Sequence, residues 1–151
     1  MSLRVGSPVP GRVVALSAVP DPVFAQAMVG PGVAVEPARS RSDVVSPVDG
    51  TVVTLHPHAF VVATSDGAAV LVHLGIDTVK RKGEGFELHV VKGEQVLAGQ
   101  RIVTWDPAEV EAAGFAPICP IIALDATAES LGDLALDVDV AANDALFDWS
   151  R

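Results

Sequence analysis

Apolar positions in this chain fall in short, valine-rich runs that alternate with polar residues and are cut by glycine or proline, the period-two signature of strands. Val5 to Leu16 holds two strand-like pieces around proline-glycine turns. Val33–Val35, Val44–Val45 and Thr51–Leu55 continue the pattern, punctuated by Ser46-Pro47 and Asp49-Gly50. Phe86–Val91, Arg101–Trp105, Ile118–Leu124 and Leu134–Val140 read as further strands, with a helical turn near Glu129. Two short helices interrupt them. Asp21 caps the first, Pro22 suits its first position and Gly30 ends it; Asp106-Pro107-Ala108-Glu109 starts the second and Gly114 stops it. The sum predicts an all-β fold, an antiparallel β-sandwich or barrel with one or two short helices. With no linker, repeat or low-complexity run, residues 1–151 form a single domain.

The densest stretch runs from His58 to Asp77, where two apolar runs flank Asp66-Gly67, a strong hairpin signal. With Asp66 and Gly67 as a two-residue turn, Phe60 faces His73 and His58 lies diagonally beside it on the same face. Moving the turn back to Ser65-Asp66 sets the histidines directly opposite, whereas a three-residue loop puts them on opposite faces. Two of these three simple registers make a histidine pair, and the pair then sits on an apolar shelf shared or bordered by Phe60, Val62, Leu71 and Gly75. Gly75 removes a side chain beside one ring and is expected to let a second molecule approach. A single strand histidine is most often an ordinary core or surface residue; the pairing is what makes these two candidates.

Composition narrows the function classes. Ten basic residues against nineteen acidic ones give a formal charge of −9, which argues against nucleic acid and against an anionic membrane surface. The same charge would steer a basic protein partner, though simple solubility explains it too. No apolar run approaches the roughly 18 residues needed to cross a membrane. Met1 to Arg4 carry no signal-peptide stretch, so a cytoplasmic protein is expected. Cys119, the single cysteine, lies in an apolar run and reads as a buried small hydrophobe.

The stretch Gly67–Val79, G-A-A-V-L-V-H-L-G-I-D-T-V, resembles the signature of the glucose-type IIA phosphocarriers of the bacterial sugar phosphotransferase system. The resemblance extends through Val19–Pro37, Ser46–Val52, Lys82–Phe86 and Gly93–Gln100, and so covers nearly the whole chain. It implies that His73 takes up a phosphoryl group and that His58, fifteen residues earlier, assists. The implied donor is the histidine-phosphorylated carrier HPr, and the acceptor is the cysteine of a IIB domain attached to a sugar permease. Val23, Phe24, Met28 and Val29 match positions of the family's apolar docking surface, although core packing also explains such a stripe. Leu71, Asp77 and Val79 complete the expected docking set. Asp77 either orients a ring, meets a basic partner, or serves as a cap or turn residue. His56 stands where the family usually has threonine and either joins the hydrogen-bond network or faces solvent. His89 has no partner in the motif. The tail from Ala141 is less regular than the family's usual final strand, and the family's amphipathic N-terminal extension is largely missing, so tethering through it is not expected.

The chemistry fits the residue type. A neutral imidazole, with an ordinary pKa of about 6.5, is nucleophilic near neutral pH and leaves readily in a second transfer. A neighbouring imidazole can donate a hydrogen bond to the moving phosphoryl oxygens. No cofactor is required, although a zinc ion shared by His58, His73 and a partner's carboxylate is an expectation by analogy. The same face is also expected to bind regulatory targets, sugar-uptake proteins or kinases, when unphosphorylated. The alternative is a zinc-dependent hydrolase: His56-Pro57-His58 is an H-x-H pair and His73 to Asp77 an H-x3-D motif, together resembling the ligand set of a zinc endopeptidase family, with the two motifs in the opposite order.

Overall fold

The computed structural model describes residues 2–151. Among these residues, fourteen strands are distributed over three antiparallel sheets. In chain order they are β1 (Ser2–Gly6), β2 (Gly11–Ala15), β3 (Gly32–Pro37), β4 (Ser42–Val45), β5 (Gly50–His56), β6 (Ala59–Ala63), β7 (Ala69–His73), β8 (Glu87–Leu88), β9 (Gln95–Val96), β10 (Arg101–Trp105), β11 (Cys119–Ala123), β12 (Leu131–Gly132), β13 (Asp139–Val140) and β14 (Ala145–Ser150). The largest sheet has the order β13-β2-β3-β11-β7-β6-β5-β9; the small ones are β1-β14-β12 and β4-β10-β8. The predicted sandwich is thereby formed, not a closed barrel. Among the described residues, no helix is long and apolar enough to cross a membrane.

Alternation decides which face each strand buries. Val33 and Val35 of β3, Phe60 and Val62 of β6, Val70 and Val72 of β7, and Ile121 of β11 point into the main core, together with Ile102, Trp105, Phe147 and Trp149 from the small sheets. The opposite face of the large sheet carries a second cluster, Leu16, Val19, Ala34, Ile76, Ile118 and Ile122. Phe24, Val29 and Leu71 lean on this smaller core. The central strands are therefore covered on both faces, and the second covering is the segment that passes next to the histidines.

Both helices form where aspartate-proline pairs start them. In α1 (Pro22–Ala25) the Asp21 side chain accepts a hydrogen bond from the Val23 N–H at 2.9 Å. In α2 (Pro107–Ala112) Asp106 accepts from the Ala108 N–H at 3.0 Å. Three strand expectations change. Phe86–Val91 contributes only the two-residue β8, because Gly83 and Gly85 bring the chain in at positive φ and turns follow at Lys92-Gly93. Leu134–Val140 reduces to β13, since Asp133 and Asp137 adopt left-handed backbone conformations on either side of its start. The tail is more regular than expected: in β14, Leu146, Phe147 and Trp149 are buried and the strand pairs along all of β1.

Candidate active site

The hairpin that carries His73 takes the three-residue register. Ala63 pairs with Ala69 and Ala59 with His73, so Ser65, Asp66 and Gly67 form the loop tip. Gly67 is at φ +92° while Asp66 is not left-handed, as fits a turn ending in one left-handed glycine but not a turn requiring two such residues. Thr64 fixes the loop: its N–H donates to the Ala68 carbonyl at 2.8 Å, and its hydroxyl bonds Asp66 and accepts from the Ala68 N–H at 3.1 Å.

This corrects the expected register, and with it the expected shelf. Phe60 and Val62 are in the main core, and the residues sharing the outward face with His73 are Ala59, Val61 and Leu71. The two histidines meet nonetheless, because His58 is not a strand residue. It occupies the two-residue turn Pro57-His58 between His56 and Ala59, which pair directly. Strand alternation does not bind a turn residue, and its ring swings over to lie 5.3 Å from that of His73, edge to face at 73°. Pro57 was the signal for this turn.

Each ring has a distinct setting. The His73 Nδ1 lies 2.5 Å from the Gly75 carbonyl oxygen, which can only accept, so Nδ1 carries the proton and Nε2 keeps its lone pair. Burial lowers the His73 pKa; the Gly75 bond and then the carboxylates of Asp21 and Asp77 act in the opposite direction. The Phe24 ring lies 5.2 Å from the His73 ring. Burial, then His73 and His56, lower the His58 pKa from 6.5 to about 4. His56 stacks on His58 with ring centroids 5.7 Å apart, so it joins the row of imidazoles, with its exposed ring on the solvent side.

Gly75 does not open space for a partner as expected. It is buried at φ +81°, and a Cβ there would lie 2.8 Å from Thr78 Cγ2 and 2.9 Å from the Ala116 oxygen. Its lack of a side chain serves the turn of its own backbone. Asp77 is also a turn residue, at φ 61°, with its carbonyl accepting from the Lys80 N–H and no capping bond from its exposed side chain. Around the rings, Met28 is 67% exposed, Val79 59% and Val23 42%, while Phe24, Val29 and Leu71 are half-buried on the second core. Val23 and Met28 flank Phe24, which touches His73, and Val79 lies in the turn after β7, so both segments next to the histidines carry exposed apolar side chains. Sequence reasoning gave Asp21 only as a helix cap; its charge also reaches His73.

The remaining candidates fall elsewhere. Cys119 is buried, its thiol donates to the Pro117 carbonyl at 3.3 Å, and burial pushes its pKa up. His89 lies on the β4-β10-β8 sheet side, bonded to Thr104 at 2.6 Å.

Residues 3–128 match the family described as phosphoenolpyruvate-dependent sugar phosphotransferase system, EIIA 1. The chain belongs to this family. It is 44% identical over 122 residues to a glucose-specific EIIA component of Oceanobacillus iheyensis, covering 80% of this chain and 73% of that one. It is 52% identical over 106 residues to a glucose-specific EIICBA component of Streptococcus pneumoniae, of which it spans only 14%. The solved structure of the glucose permease IIA from Mycoplasma capricolum superposes with a TM-score of 0.88 at 32% identity, over 98% of this chain and 96% of that one.

The protein is thus a glucose-type EIIA component, a phosphotransferase component of the sugar phosphotransferase system. The zinc hydrolase alternative finds no support in this EIIA fold. Among the described residues, His56, His58, His73 and Asp77 do not gather into a set of three donors that could hold a metal ion.

Proposed function

We propose that this EIIA component relays a phosphoryl group on His73, taking it from phosphorylated HPr and delivering it to the cysteine of a IIB domain of a sugar permease, in the cytoplasm. The observation that carries the reading is the Gly75 carbonyl on Nδ1, which leaves the Nε2 lone pair as the nucleophile. That lone pair attacks phosphorus as the nitrogen–phosphorus bond of the donor histidine breaks and its electron pair returns to the donor ring. In the second step the IIB thiolate attacks, the bond from Nε2 to phosphorus breaks, and His73 recovers its lone pair. No proton need move on Nδ1 in either step.

His58 stabilises the group in transit. Its depressed pKa keeps it neutral, so it donates one hydrogen bond to a phosphoryl oxygen without adding a second cation to the shelf. Val23, Phe24, Met28, Val29, Leu71 and Val79 form the docking surface and exclude water from the phosphohistidine. Asp21 and Asp77 present carboxylates to a basic partner such as HPr. A phosphoryl group adds about 1.5 to 2 negative charges at the centre of this face, which weakens docking of any regulatory target that prefers the bare surface. The relay takes no cofactor; a zinc ion on His58 and His73 would need its further ligand from the partner.

The test is phosphoryl transfer from labelled phosphoenolpyruvate through the general components. Wild type should acquire acid-labile, base-stable label and His73→Ala none, while His58→Gln should be labelled but pass the group on poorly. Label on His73→Ala equal to wild type would show that the acceptor is misassigned.

A further inference from the structure

We infer that Thr78 is a positioning residue for the transfer, holding the backbone that presents the Gly75 carbonyl to His73. The inference rests on the reading of His73 as the phosphoryl acceptor. Thr78 is fully buried, although polar, and its hydroxyl donates to the Leu74 carbonyl at 2.7 Å. That carbonyl belongs to the peptide plane entering Gly75. The plane leaving Gly75 contains both the carbonyl that holds Nδ1 and the Ile76 N–H, which donates to Ala116 at 2.9 Å. Between the two planes stands a glycine at φ +81°, the residue type with the widest choice of backbone angles. Among the described residues, the Thr78 bond is the only one formed by the Leu74 carbonyl, and the Thr78 methyl closes the space beside the Gly75 Cα.

Without the hydroxyl, the Leu74 carbonyl loses its partner and the entering plane can tilt, and the glycine passes that tilt to its own carbonyl. His73 then loses the acceptor that keeps its proton on Nδ1, and a histidine's tautomer follows the hydrogen bond its ring nitrogens find. A proton on Nε2 occupies the lone pair that must attack phosphorus. A threonine bonding back four residues is also a common local device with no wider role. The ring tautomer separates the two.

The experiment records the His73 ring nitrogens by nitrogen-15 NMR, together with the rate of label uptake from phosphorylated HPr, for wild type, Thr78→Val and Thr78→Ser. Thr78→Val keeps the shape and loses the donor. It should shift His73 toward the Nε2–H form and slow uptake roughly fivefold, the size of one neutral hydrogen bond. Thr78→Ser keeps the donor and should restore both signals. A wild-type tautomer in Thr78→Val overturns the inference, as does a shifted tautomer in Thr78→Ser; the second arm stands even where Thr78→Val fails to fold. Absence of label on wild-type His73 overturns the acceptor reading instead, whatever the tautomers show.

Discussion

His73 and His89 are each tied by one short hydrogen bond, and the two bonds go to opposite ring nitrogens. At His73 the tie is on Nδ1, through a carbonyl, and the outer Nε2 is left open on an apolar shelf. At His89 the tie is on Nε2, through the Thr104 hydroxyl, which donates its own proton to Asp43 at 2.6 Å. The Asp43 carboxylate only accepts, so Thr104 accepts from His89 Nε2–H, and the nitrogen left outside this chain of bonds is the inner one beside the main chain. One arrangement leaves the outer ring nitrogen unbound on the candidate site; the other stitches β4, β10 and the segment after β8 together. A histidine's work is set by which nitrogen the fold occupies.

The sharpest way to break this comparison is to exchange the losses. His73→Ala should abolish label uptake, while His89→Ala should be labelled like wild type; a His89→Ala variant unable to accept label would dissolve the distinction. Next in size is His58→Gln, whose onward transfer to a IIB domain should fall about a hundredfold, the scale for removing one donor to a developing charge. Thr104→Val sharpens the other side. It should cost about 1 kcal/mol in denaturant unfolding, through the lost bonds to half-buried His89 and exposed Asp43, and leave transfer unchanged. The smallest effect is a titration. Because the folded His58 pKa is about 4 rather than 6.5, the unfolded chain takes up that proton first on acidification. The His58 contribution to stability is then full above pH 6.5 and lost as the pH falls toward 4. An NMR titration of the His58 ring should show its midpoint near 4, and a midpoint near 6.5 would remove the apolar account of the shelf.

Much of this was readable from pattern and motif. Asp21-Pro22 and Asp106-Pro107 announced the starts of both helices, and the apolar runs announced the strands at Ala69–His73 and Arg101–Trp105. The register was not readable, because Asp66-Gly67 fits two loop lengths, and the choice depends on Thr64 side-chain bonds that spacing does not encode. The histidine pair was expected for the wrong reason: the Pro57-His58 turn makes it, not strand alternation. Gly75 was legible as a special position, but its use was not, since only the folded chain puts its carbonyl on Nδ1 and Thr78 behind it.

The two helices share a start signal, yet α2 buries Pro107 and Val110 while α1 buries none of its residues. A one-turn helix whose hold on the second core is the half-buried Phe24 can open without the sheet opening, so its amides should exchange with solvent long before those of β7. The half of this face built on β7 is thus a rigid anvil, and the α1 half, ending in the flexible Met28, is a cushion. The proposed relay, which docks one protein to receive its load and a differently shaped one to hand it over, would gain from having both in the same surface.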